Sequence, residues 1–167
     1  MPNRKKSMLT QNQVKELFHY DTKTGSLIWR VDCGKNKMIG KFSGTLKADG
    51  YRYISINNKI YFAHRLVWLF NHGIFPANNL DHINGNKDDN RIENLREATD
   101  AQNLQNRRKA NSTNKSGYLG VSSSHGKWQA AICINGKQMH IGTYMTPEDA
   151  HAAYLAKKRE LHPFGTL

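Results

Sequence analysis

Asn135-Gly136 constrains the fold of this chain more than any other pair of residues. It separates two runs, Trp128 to Ile134 and Gln138 to Tyr144, that read as strands. Asn-Gly accepts the positive φ that a two-residue hairpin turn demands, and the twist of that turn matches the flanking strands. Tyr118 to Ser122 supplies a third strand. Thr146-Pro147-Glu148-Asp149 then opens a helix, with a Thr cap, Pro at the first helical position and acids in the first turn. Ala150, Ala153, Tyr154, Lys157 and Leu161 form its stripe. Small residues let such a helix lie close across a three-stranded antiparallel sheet.

The rest of the chain divides into three stretches. In residues 1–49, Thr10 and Gln13 have capping-box spacing, and Val14, Leu17 and Phe18 follow on one helical face. Asp21 to Gly25 reads as a turn, Ser26 to Val31 as a strand, and Gly34 to Gly44 as a loop. In residues 50–109, Tyr51 to Ile56 and Lys59 to Ala63 are two strands joined at Asn57-Asn58. A helix carrying Leu66, Val67, Leu69 and Phe70 should stop at Gly73, with Pro76 just beyond. A short strand is expected near Leu95 to Ala98, and Thr99 and Gln102 repeat the capping-box spacing ahead of Asn103. Residues 110–116 have linker composition, continuing the basic stretch of Arg107, Arg108, Lys109 and Lys115. Residues 117–167 hold the sheet and helix.

Composition bounds the partners. The 167 residues are 38% hydrophobic and the mean hydropathy is −0.74, so the cores are small. Lys and Arg number 25 against 13 Asp and Glu. An excess of that size attracts polyanions, nucleic acid first among them, although a solvated cationic face has the same composition. No strongly amphipathic basic helix points to a membrane surface. The opening Met1-Pro2-Asn3-Arg4-Lys5-Lys6 is basic, but Thr10 to Gln13 is polar where a signal peptide would be apolar. The expectation is an intracellular, cytoplasmic chain. Cys33 and Cys133 stand far apart, suit free thiols, and exclude a Cys-based zinc ribbon.

The chemistry concentrates between Asp81 and Asn103. Asp81 offers a hard anionic oxygen, Asn103 a neutral one, and His82 can take a proton near neutral pH. One carboxylate and one amide, completed by water and phosphate oxygens, is the sparse oxygen set that Mg²⁺ accepts. Zinc would want more His or Cys. If the backbone is extended at Asp81-His82, the two side chains point to opposite sides. Asn94 can hold the loop by bonding backbone groups across it. The same residues also fit a polar surface turn. A calcium loop of the EF-hand kind is discounted, because the Asp-x-Asp-x-Asp-Gly order and the glutamate at the twelfth position are missing. His64 reads as a capping or packing residue, and the other histidines show no ligand spacing.

His64-Arg65-Leu66, Asp81-His82-Ile83-Asn84-Gly85-Asn86, Asn90-Arg91-Ile92-Glu93-Asn94-Leu95-Arg96, Ala98-Thr99 and Gln102-Asn103 together resemble the HNH endonucleases of phage and intron origin. The resemblance implies a ββα-metal fold and carries over Asp81 as metal ligand, His82 as general base, Asn94 as structural asparagine and Asn103 as second ligand. Asn stands where the family's last His would be, an HNN variant that suits Mg²⁺ or Mn²⁺. Tyr118-Leu119-Gly120-Val121, Gly126-Lys127-Trp128-Gln129-Ala130, Ile141-Gly142-Thr143-Tyr144 and Glu148-Asp149-Ala150 resemble the AP2 DNA-binding domain. That family lays a three-stranded sheet into the major groove, which makes Lys127, Trp128, Gln129, Lys137 and His140 candidate contacts. Leu119 and Ser122 stand where the plant-type pattern has Arg. Trp128 also fits a core position, in which case Lys127 and Gln129 face the other way.

The expectation is therefore an α+β chain. A ββα-metal HNH nuclease domain spans 50–109, a basic linker 110–116, and an AP2-like sheet and helix 117–167. Residues 1–49 belong to the nuclease domain or add a DNA contact. The expected function is hydrolysis of phosphodiester bonds in double-stranded DNA by a monomer or homodimer, in a chain that a phage could encode for its bacterial host. Arg107, Arg108, Lys109 and Lys115 would track phosphates. The alternatives are a non-catalytic, sequence-specific DNA-binding regulator and an RNA-binding accessory protein.

Overall fold

The computed structural model describes residues 8–33 and 36–166. The basic stretch Met1 to Lys6, and Gly34 of the expected loop, lie outside the described residues. The chain forms two compact units, Met1–Glu97 and Ala98–Leu167.

The first unit opens with α1, Gln11–Leu17, and the Thr10–Gln13 capping box forms in both directions. β1, Phe18–Asp21, pairs antiparallel with β2, Ser26–Trp29, so that Phe18 faces Trp29 across the ladder. Phe18 is thus a strand residue, not a helical one. Its N–H closes α1 on the Val14 carbonyl, and its ring packs on Trp29 with centroids 4.4 Å apart. β3, Thr45–Leu46, lies beside β4, Arg52–Ile56, which pairs with β5, Lys59–Phe62. Asn57 and Asn58 make the turn with φ of 49° and 61°, the left-handed values that a tight hairpin needs.

α2, Ala63–His72, follows and ends at Gly73. It buries Leu66, Val67 and Leu69 against Val14, Phe18, Trp29 and Ile54. Residues 18–29 therefore share one core with the hairpin and helix that follow them. β6, Asn79–His82, pairs with β7, Leu95–Ala98, and a single 3₁₀ turn, Ile92–Asn94, leads into β7.

In the second unit α3, Asp100–Gln105, starts on a complete Thr99–Gln102 capping box. β8, Val121–Ser124, β9, Lys127–Ile134, and β10, Lys137–Tyr144, form an antiparallel sheet with β9 in the centre. A bulge between His140 and Gly142 shifts the β9–β10 register. α4, Pro147–Leu161, covers one face, and Val121, Ala130, Ile132, Ala150 and Tyr154 form the core between them. The stripe differs from the expected one at its third turn. Lys158 is buried, 2% exposed, while Lys157 pairs with Glu160. Ala150, Tyr154 and Lys158 keep i, i+4 spacing, and the lysine buries its stem while its ammonium bonds the Arg107 carbonyl.

Candidate nuclease centre

Alternation along β6 decides where the Asp-His pair points. Leu80 and His82 are buried and Asp81 faces the other side. Asp81 Oδ2 accepts from Arg96 Nε at 3.0 Å and pairs with its Nη2 at 2.9 Å. Arg96 lies on the adjacent strand β7, so the strand pairing itself supplies the counter-charge. His82, 4% exposed, enters a ring cluster in which His64 meets it edge-on at 5.2 Å and Tyr51 lies 6.1 Å away.

Burial keeps both imidazoles neutral. It pulls His64 down to about 3, with His82 and Arg65 adding to the effect. It lowers His82 as well, and the hydrogen bond to Asn90 partly offsets this. His64 is no helix cap; Phe62 occupies that position without a side-chain bond. It is a packing residue, but one packed directly on His82.

The run between β6 and β7 folds back on itself through its own polar groups. Asn94, 6% exposed, accepts from Asn84 N at 2.9 Å through Oδ1 and donates to the Asp89 carbonyl at 2.8 Å. It also donates to Asn84 Oδ1 at 3.0 Å. Arg91 grips Asp89 with two nitrogens, at 2.8 and 2.7 Å, and holds that carboxyl down at about 2. Arg52 of β4 pairs with Asp88, at 2.8 Å on each oxygen. The acids of this loop are thus structural clamps. Asn90 bonds His82 Nε2 at 3.0 Å. Neither Asn90 nor Arg96 stands out in the sequence, because one is an asparagine among several and the other depends on strand register.

Among the described residues no group of three or more His, Cys, Asp or Glu could hold a metal ion. Zinc sites draw on more His or Cys than Asp81 and Asn103 offer. The donors the sequence singles out, one carboxylate and one amide oxygen, fit a hard cation that takes the remainder of its shell from water and phosphate. Asp81 belongs to the first unit and Asn103, half-buried on α3, to the second.

In the second unit Arg107, Arg108, Lys109 and Lys115 are exposed, and Arg108 donates to the Thr166 carbonyl at 3.2 Å. The register of the sheet sorts the remaining candidates. Lys127, Gln129 and His140 stand on the face away from α4, with Ser122 and Thr143 paired across from Gln129. Trp128 pairs with Ser123 and Tyr144 and packs into the core on the α4 side. Lys137, opposite Ile134, is exposed at the hairpin end.

Residues 61–105 match the family model described as HNH endonuclease. A solved structure described as DNA binding and cleavage by the HNH homing endonuclease I-HmuI is 28% identical, with a TM-score of 0.40, covering 53% of this chain. The chain spans 50% of that protein's length in the match. No curated protein matches. Among the described residues no helix is long and apolar enough to cross a membrane.

Proposed function

We propose that this chain is a metal-dependent endonuclease acting on double-stranded DNA. The observation that carries the reading is a buried imidazole held neutral beside a paired carboxylate, within the segment that matches the HNH endonuclease family. Asp81 and Asn103 are the ligands for Mg²⁺ or Mn²⁺. When bound, the ion supplies Lewis acidity to the scissile phosphate and to the departing oxygen. His82 takes the proton from the attacking water. A neutral imidazole is the competent form for that task, and burial favours it. Asn94 holds the loop that carries the base. Arg107, Arg108, Lys109 and Lys115 meet phosphates, while Lys127, Gln129 and His140, on one polar sheet face, meet the major groove, which admits β-structure. A second binding module covalently joined to a weakly selective nuclease raises its effective concentration at the target.

The test is incubation of supercoiled plasmid with the protein and Mg²⁺, with EDTA as control. Nicked or linear product should form only with the metal. His82→Ala should abolish cleavage and leave DNA retention in a gel intact. Full cleavage by that variant, or cleavage in EDTA, overturns the mechanism. Retention without cleavage by the parent chain would make it a non-catalytic DNA binder.

A further inference from the structure

Asn90 is 3% exposed, and its Oδ1 lies 3.0 Å from His82 Nε2. An amide oxygen can only accept, so the proton in this bond belongs to Nε2 and the ring's lone pair lies on Nδ1. The amide resists a flip, because its Nδ2 donates to the Asp88 carbonyl at 3.4 Å. Exchanging O and N would set the amide oxygen against the Asp88 carbonyl.

The backbone of Asn90 is held as firmly as its side chain. The Tyr20 hydroxyl donates to the Asn90 carbonyl at 3.5 Å and accepts from Ile92 N at 2.9 Å. Gly25, at φ +71°, lies against the Asn90–Arg91 peptide, where an added Cβ would come within 2.2 Å of Arg91 N and 2.4 Å of Asn90 C. Tyr20 lies on β1, and Gly25 in the turn between β1 and β2.

We propose that Asn90 is the positioning residue that selects the Nε2–H tautomer of His82, and that the β1–β2 hairpin, through Tyr20 and Gly25, holds Asn90 in place for it. The proposal rests on the reading of His82 as general base. In the attack on phosphorus the water O–H bond breaks and its proton passes to Nδ1. The water oxygen bonds to phosphorus as the ester oxygen departs. The imidazolium so formed still donates from Nε2 to Asn90. Without that acceptor the ring divides between tautomers, and a fraction of molecules presents N–H where a lone pair is required. A group that orients a base in this way shows in kcat more than in KM.

Long-range ¹H–¹⁵N spectra of the full-length protein with ¹⁵N-labelled histidine read the tautomer without any cleavage, and His82→Ala identifies the signal. The parent should show neutral His82 as Nε2–H. Asn90→Leu, of similar shape but with no acceptor, should show both tautomers and lose kcat by about tenfold to hundredfold, with KM for DNA unchanged. Asn90→Asp keeps an acceptor and should keep the Nε2–H form and most of the rate. Tyr20→Phe should shift the tautomers in the same direction as Asn90→Leu. A parent with His82 as Nδ1–H, or an Asn90→Leu variant with parental tautomer and kcat, overturns the proposal. If Asn90→Leu does not fold, the parent and Asn90→Asp spectra decide. A parent that shows Nε2–H, loses it in Asn90→Leu and yet cuts no DNA upholds the tautomer selection and overturns the endonuclease.

Discussion

His64 makes the stability of the first unit depend on pH. Its ordinary value is 6.5 and its folded value about 3, so between these limits the unfolded chain binds a proton that the folded chain refuses. Stability is complete above about pH 6.5 and declines as the pH falls, by about 1.4 kcal/mol per unit. Asp89, already held at about 2 by Arg91, stays ionised through that window. The melting temperature should therefore drop between pH 7 and pH 5, and His64→Gln should flatten the drop. An equal slope in the variant would show that another group is responsible. The residue-scale parts of the site differ in how far the sequence exposes them. Asp81, His82 and Asn94 are singled out in the sequence by the family resemblance as candidates. Arg96 and His64 are not, because they reach the pair through strand pairing and through the packing of α2.

At the scale of elements, the turns and caps were the legible part. Asn57-Asn58, Asn135-Gly136 and the two capping boxes each act within four residues, so local chemistry is sufficient to place them. β1 and β6 are not legible in the local sequence, for the opposite reason. Phe18 sits in a run that also suits a helix, and β6 exists because β7 returns beside it after a polar loop. The seam between α4 and the sheet holds another long-range demand. Gly120 has φ +75°, and a Cβ there would come within 2.1 Å of the Tyr154 ring. Gly120→Ala should cost about 1–3 kcal/mol, read as a lower denaturation midpoint. A parental midpoint would mean that Tyr154 can move aside without loss.

At the scale of the whole molecule, the net charge of +12 sets the character of binding. If the exposed Arg and Lys after α3 and on the sheet neutralise phosphates, log affinity falls linearly with log salt. Replacing both Arg107 and Arg108 with Ala should flatten that slope by about two, less whatever Arg108 loses through its bonds to Thr166. A parental slope would place the phosphate contacts elsewhere. Composition bears only on the class of partner, whereas which side chains share a face follows only from register. Lys127, Gln129 and His140 share a face because the strands alternate, and Trp128 departs from it for the same reason. Cys133 is exposed on that same face, and Cys33 is exposed in the first unit. The chain thus carries one exposed thiol in each unit, a matched pair of natural footprinting labels by which protection of one unit by an added ligand can be scored against the other.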